Sequence, residues 1–406
     1  MTSDHPQVAV IGGGPAGLMA AETLARGGVA VTVYDRMPSL ARKFLMAGRG
    51  GLNLTHSEPF DRFLAAYEGA PAPILDAVRA FTPDELRAWC EGLGEPVFVG
   101  SSGRVFPVSL KASPLLRAWL RRLEALGVKV ALRYAWAGFE GDDLLFVGPG
   151  GERVAARPDA AVLALGGASW PRLGSDGAWT EALRGIGVAV APLAPANMGV
   201  RIAWSDHVRE RFAGAPLKRI ALALDGRSVR GEAIVTRDGL EGGAVYTLSA
   251  PIREAFEAAG TARLTVDLRP DLSEGALAQR LAASRKGESL ANKLRKAAGL
   301  SPVASAVLRE GHGLALPTEP EGLATAVKAV PITVTGLQGL DRAISTAGGI
   351  ALNEIDRAFM LRRRPGTFVA GEMLDWEAPT GGYLLQASFA TGVAAGRGVL
   401  GWLERR

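Results

Sequence analysis

The sequence predicts an α/β fold in which one nucleotide-binding domain is made from both ends of the chain, with two insertions between them. Three observations predict it. A glycine-rich turn sits between an apolar strand pattern and a helix pattern near residue 12. A β-patterned stretch from about 190 to 270 gives way to a polar-helical one up to 330. Strand and glycine–helix patterns then return after Pro331.

The first 36 residues alternate cleanly. "VAVIG" reads as a buried strand, "GPAGLMAAETLARGG" as a helix ended by Gly27 and Gly28, and "VAVTVYDR" as a second strand ending in an acid. Between strand and helix, Gly12, Gly14 and Gly17 satisfy G-x-G-x-x-G, with Pro15 and Ala16 at the helix start. Gly12 permits the tight turn, Gly14 lets a pyrophosphate approach the backbone, and Gly17 lets helix and strand pack closely. Asp35, 21 residues past Gly14, is placed to accept from ribose hydroxyls, and Tyr34 and Arg36 flank it. A bare glycine triplet is a weak signal. Strand, helix, second strand and terminal acid together make a dinucleotide site. Asp35 argues against a 2′-phosphate there, and the chain holds no second such fingerprint. A single fingerprint with glycine pairs far downstream is what a tightly held FAD needs.

From 72 to 127 the pattern is helical, with Thr82 and Pro83 as cap and first residue of one helix and Ser113 and Pro114 in the same roles in another. Residues 128–165 read as short strands ending in "AAVLALGG". "GVRIAW", "RIALALDG", "GEAIVT" and "ARLTVDL" mark the β-rich stretch, and "SEGALAQRLAASRKGESLANKLRKAAG" the helical one. The expected division is 1–188 for the first part of the FAD domain, 189–272 for the β-rich insertion, 273–330 for the helical insertion, and 331–406 for the last part.

Composition narrows the class. With 48% hydrophobic and 21% charged residues the chain is globular, and its one cysteine, Cys90, excludes an internal disulfide. Cys90 lies on an amphipathic helix and reads as a small core residue. No signal-like start or long apolar run is present, so a cytoplasmic protein without membrane contact is expected, and no metal ligands are expected. Net charge is +5, with 38 Arg against 8 Lys. Arg201, Arg209, Arg211, Lys218 and Arg219 fall in the β-rich insertion. Arg280, Arg285, Lys286, Lys293, Arg295 and Lys296 fall in the helical one, and Arg362, Arg363 and Arg364 precede the last strand. Contact with RNA would use such residues, although interleaved acids also mark solvated helix faces.

Taken in order, "IGGGPAGLMAAETLA", "ARKFLMAGRGGLNLTH", "GRVFPVSLKASPLL", "LALGGASWPRLGSDG", "GEAIVT" and "FVAGEMLDWEAPTGGYLLQASFATG" resemble the BaiN/RdsA family of flavoproteins from about residue 7 to 400. The resemblance implies a Rossmann-type FAD-binding domain interrupted by a β-barrel-like insertion and a small helical insertion. It also implies an NAD(P)H-linked reductase, some members being similar to enzymes that reduce a uracil base in ribosomal RNA. By the same resemblance, Lys43 and the loop Gly48, Arg49, Gly50, Gly51, Leu52 and Asn53 pass along the flavin or its phosphates, and Trp136 stands at the adenine. Gly166 and Gly167 close a loop of the first domain, and Gly371 and Glu372 meet the ribityl chain. Gly381, Gly382 and Tyr383 begin a last helix whose positive end faces the flavin.

One departure matters. Many members carry a cysteine in the 47–56 loop, where this chain has Leu52. A thiol serves as a proton donor and leucine cannot. His56, Lys111 and Arg49 are the candidate catalytic groups, His56 because it titrates in the useful range and Arg49 only as an anion binder. The expected reaction passes hydride from NAD(P)H to flavin N5 and on to an electron-poor C=C, in a small molecule or an RNA base. A flavin-loaded RNA-binding or assembly protein without turnover is the alternative. The oligomeric state is not legible.

Overall fold

The computed structural model describes residues 6–67 and 69–406, the side chains of Arg49 and Leu314 excepted. The chain forms two compact units. One comprises the residues up to Pro195 together with Ser345–Arg406, and the other Ala196–Ile344.

The first unit is built on a five-stranded parallel sheet. Its strand order is Thr367–Val369, Ala160–Leu163, Gln7–Ile11, Ala30–Asp35, Lys129–Leu132. Val8, Val10, Ile11, Val162, Leu163, Phe368 and Val369 are all buried, the burial on both faces expected of a parallel sheet. The helices Pro15–Arg26 and Tyr383–Leu403 pack against each other, so the last residues of the chain complete the element that begins at residue 15.

Three helices are tied by one carboxylate. Glu22, 3% exposed, accepts from the indole N–H groups of Trp119 (2.8 Å) and Trp89 (3.1 Å) and from Arg26 and Arg122. Every donor is rigid or charged, which satisfies a buried anion. Cys90 lies in this region fully buried. Burial, with help from Glu91 and Glu95, pushes its thiol up to about 12.

The sequence pattern missed three details here. Residues 97–107, inside the stretch read as helical, hold the strands Val97–Val99 and Arg104–Pro107, which pair with Thr55–His56 in a small antiparallel sheet. Thr82 caps its helix with a full capping box to Glu85, but Ser113 does not cap the next one. That helix starts at Ala112 with Lys111 at the cap position, so Ser113 and Pro114 are its second and third residues. The short strands escaped because three or four residues carry no readable period.

The second unit holds a seven-stranded antiparallel sheet. Its order is Val330–Val334, Ala262–Asp267, Pro216–Leu224, Arg227–Thr236, Gly239–Glu241, Val200–Arg201, Gly336–Leu337. The two edge strands are consecutive in the chain, joined by Thr335 alone. The sheet therefore curls round on itself, which gives it a barrel-like form. Leu277, Leu281, Leu294, Leu308, Leu323 and Val327 from the helices share one core with Leu222, Leu264, Val266 and Ile332 from the sheet.

This corrects the expected division. The boundary at 272/273 runs through a single core, and the return to the first unit falls at Ser345 rather than 331. Pro331 was read as a break. It instead lies within an edge strand opposite Thr265, a place where a residue without an N–H is tolerated. Among the described residues no helix is long and apolar enough to cross a membrane.

Candidate cofactor groove and active site

A cavity of about 360 Å³ opens at the carboxyl ends of the parallel strands in the first unit. This is where open α/β sheets bind ligands. The glycine turn forms its floor. Gly12 has φ +104°, and its N–H donates to Tyr34 O at 2.8 Å. A Cβ at Gly12 would lie 2.2 Å from Ala164 O, and one at Gly17 would lie 1.9 Å from Gly12 O. Both positions therefore require glycine. Gly14 differs: a Cβ there would meet nothing within 4 Å, because the residue faces the open groove. The helix behind it starts with Pro15 and carries no side-chain cap. Its first N–H groups are left to a ligand, and the helix dipole favours an anion.

Asp35 closes one end. Its Oδ2 accepts the Gly13 N–H and its Oδ1 the Met37 N–H, each at 2.8 Å. Burial raises its carboxyl above the ordinary value, against the pull of those two backbone bonds. Asp35 therefore holds the turn as well as facing the groove. Arg36 pairs with Asp176 across the same end. Tyr34 stacks on Phe146 at 4.4 Å between ring centroids, and Tyr134 stands edge-on to it. Two groove-lining atoms there, Trp136 Nε1 and Ser175 Oγ, are buried without a protein partner.

The other end is built around Glu372. Lys43 Nζ donates to Glu372 Oε2 at 2.7 Å and to Ser169 Oγ at 2.5 Å. Glu372 Oε1 accepts the Thr346 N–H at 2.9 Å, and Oε2 the Gly167 N–H at 3.4 Å. Gly371 N–H donates to Thr391 Oγ1 at 3.0 Å, and Gly166 O accepts from Trp179 Nε1 at 2.8 Å. An open glycine cradle, a capless helix start, orphaned donors and a bound carboxylate fit FAD, and the residues that would hold it are Gly12–Gly14, Asp35, Trp136, Ser175, Lys43 and Glu372.

Gly12, Gly14, Pro15, Ala16, Tyr34, Asp35, Arg36, Lys43, Trp136, Gly166, Gly371 and Glu372 thus line one cavity. Gly17 and Gly167 stand outside its lining. Gly48, Gly50, Gly51, Leu52 and Asn53 also lie outside it, as do Gly381, Gly382 and Tyr383. Leu52 is wholly buried, its N–H on Leu110 O at 2.9 Å, so the residue in place of a thiol is a core residue. The side chain of Arg49 lies outside the described residues. Ser175, Asp176 and Trp179 were not singled out in the sequence; the polar cluster "GSDGAW" was the available signal.

Neither His56 nor Lys111 reaches the groove. Lys111 is exposed at its helix cap. His56 has both ring nitrogens occupied: Nδ1 accepts the Glu58 N–H at 3.2 Å and Nε2 faces Ser102 O at 3.0 Å. With the first nitrogen accepting, the second carries the proton and donates to that carbonyl. The expectation of a free proton donor at His56 is therefore corrected. Beside it stands Tyr383, its ring stacked on His56 at 5.9 Å and its hydroxyl donating to Glu58 Oε1 at 2.5 Å. Burial first, then the bond and charge of Glu58, push the Tyr383 phenol well up, so it keeps its proton at neutral pH. Gly382, with φ +98°, sets that helix start against the Thr55 backbone, where a Cβ would lie 2.6 Å from Thr55 Cα.

Residues 6–398 match the family model described as the HI0933-like protein Rossmann domain. The chain is 28% identical over 416 residues to a 3-dehydro-bile acid delta(4,6)-reductase of Clostridium scindens, covering 96% of this chain and 98% of that one. It is 24% identical over 250 residues to a ribosomal RNA dihydrouridine synthase of Haemophilus influenzae, covering 61% and 62%. Among solved structures, its fold is similar to a 3-ketosteroid delta1-dehydrogenase of Sterolibacterium denitrificans, with TM-score 0.54, 13% identity, and 98% and 100% coverage.

Proposed function

The chain belongs to the HI0933-like Rossmann family and is an FAD-dependent oxidoreductase; on that premise we propose that it is a reductase that spends NAD(P)H on the electron-poor C=C of a small, conjugated acceptor. The observation that carries the reading is the groove itself, with Gly14 open, the helix start uncapped and Lys43 and Glu372 paired at the far end. FAD, when bound, supplies the hydride relay between nicotinamide and acceptor. The chain's own residues would position and electrostatically support it, the helix start holding the phosphates, Asp35 the ribose, and Lys43 with Glu372 the far end. The 28% identity to a bile-acid reductase along nearly the whole of both chains supports a C=C acceptor.

Of the groups beside the 47–56 loop, Tyr383 Oη is the candidate proton donor, for an acceptor seated outside the groove lining; it donates to Glu58, whose backbone N–H is accepted by His56. Tyr383→Phe is expected to leave the NAD(P)H half-reaction within about twofold and slow reoxidation by the acceptor at least tenfold, within the range of general acid catalysis. Equal slowing of both half-reactions, followed by stopped flow, would remove Tyr383 from this role.

An RNA-base acceptor is the second reading, supported by the match to the ribosomal RNA enzyme over three fifths of each chain. Several cations that would serve it are already paired, Arg209 with Asp206, Lys296 with Glu288 and Arg363 with Glu354. The small acceptor is therefore the better supported. Anaerobic titration of the purified yellow protein with NADH and NADPH tests the reductase reading. Bleaching of the flavin band is expected, and a band unchanged by both nicotinamides would overturn it.

A further inference from the structure

We infer that Arg42 is the phosphate clamp of the groove: its guanidinium supplies the counter-charge for the diphosphate bridge of FAD. This rests on the assignment of FAD to the groove and adds a residue that neither the glycine fingerprint nor the resemblance singles out.

The backbone brings Arg42 to the glycine turn. The segment after Asp35 folds back over that turn: the Ala41 N–H donates to Gly13 O at 2.8 Å, and a Cβ at Gly13 would lie 2.2 Å from Leu40 Cδ2. Ala41 is buried and sits in the left-handed region, at φ +55° and ψ 34°. A non-glycine residue held there costs strain, and such strain gathers at ligand sites. The next residue is Arg42, half-buried in the groove lining.

The charges of the groove single it out. Three cations line it, Arg36, Arg42 and Lys43, and three carboxylates, Asp35, Asp176 and Glu372. Arg36 pairs with Asp176 and Lys43 with Glu372. Asp35 is near enough for the Arg42 charge to act on its carboxyl, yet its two oxygens accept the Gly13 and Met37 N–H groups. Among the described residues Arg42 thus has no carboxylate partner. Its one side-chain bond is a 3.5 Å contact from Nη1 to Ser39 Oγ, and its Nε is buried without any partner.

A desolvated donor on a charged group is costly to leave unmade. The guanidinium presents a planar fork of donors, so the partner that suits it is an anion with at least two acceptor oxygens. A diphosphate has that charge and shape, and Gly14 and Pro15, at the uncapped helix start, line the same groove. Lys43, which the resemblance places along the flavin or its phosphates, is already committed to Glu372 and Ser169.

The test uses the full chain stripped of flavin, with FAD, ADP and adenosine as probes in calorimetric titration. Wild type is expected to bind ADP more tightly than adenosine. Arg42→Gln should weaken FAD and ADP about tenfold, the loss of one charge-assisted contact, and leave adenosine unchanged. Arg42→Met removes the charge without leaving a buried amide and should do the same, which keeps the test decisive if the glutamine variant does not fold. Lys43→Gln should weaken FAD and spare ADP, because ADP carries no flavin end. Adenosine weakened as much as ADP would make Arg42 a prop for Asp35 and overturn the proposal. So would an ADP affinity unchanged in the Arg42 variants, or one lowered equally by Lys43→Gln. In each of these cases FAD binding by the wild type leaves the cofactor assignment standing, whereas a wild type that binds neither FAD nor ADP removes both.

Discussion

Glu22, buried, and Glu372, half-buried, are carboxylates of the first unit, each bound by a cation, yet they do different work. Glu22 is closed in by two indoles and two guanidiniums from three helices, and no part of it faces the groove. Glu372 lines the groove, and its strongest partner is Lys43, a flexible ammonium whose side chain is 27% exposed. The lesson concerns the donors. An anion ringed by two indoles and two guanidiniums inside a helix cluster stabilises helices, whereas one held by a lysine and two backbone N–H groups at the wall of a groove is available to a ligand.

The largest effect should come from the closed site. Glu22→Gln leaves two guanidiniums without a counter-charge and turns an amide N–H toward indole N–H groups. A loss of about 3 kcal/mol in urea unfolding is expected, with the FAD content of the folded fraction unchanged. A loss under about 1 kcal/mol would mean that Glu22 does not tie the three helices.

Glu372→Gln should reverse the pattern. Lys43 can turn to water, so the apoprotein should lose only about 1 kcal/mol. FAD retention should fall about tenfold, read from the flavin-to-protein ratio after dialysis. If stability falls as far as in Glu22→Gln while FAD stays bound, the two sites are of one kind.

Asp35 offers the smallest and sharpest test, because its partners are backbone N–H groups alone. Burial raises its folded pKa, so folding favours the neutral carboxyl. That contribution is full below the ordinary 3.8 and is lost as pH rises through the raised folded value. Wild type should therefore lose stability relative to Asp35→Asn across that window and run parallel to it at higher pH. The opposite sign would mean that the two backbone bonds outweigh burial.

Local signals were legible in the sequence and distant ones were not. The glycine turn, its helix and Asp35 lie within 24 residues, and each is dictated by a neighbour in the chain. Lys43 and Glu372 stand 329 residues apart and meet only through the fold. Resemblance placed each of them near the flavin separately, and nothing in either segment specifies that the two pair. Pro331 misled because a proline reads as a break until its strand is known to be an edge. His56 misled for the opposite reason: its residue type suggests chemistry, while its strand register and the Ser102 carbonyl occupy it. Leu52 was recognised as a departure, but its complete burial and the tie of its N–H to Leu110 O lie beyond any local pattern.

The split construction of the first unit has a consequence for biosynthesis. A ribosome releases the glycine turn first, then the whole of Ala196–Ile344, and only afterwards the strand Thr367–Val369, Glu372 and the long final helix. The second unit, one contiguous segment, can fold while the earlier strands wait for their edge partner. Nascent chains ending before about residue 370 would thus present a glycine turn with half a groove. Cofactor capture then waits for the segment from Thr367 onward, and the domain begun first is the last to close.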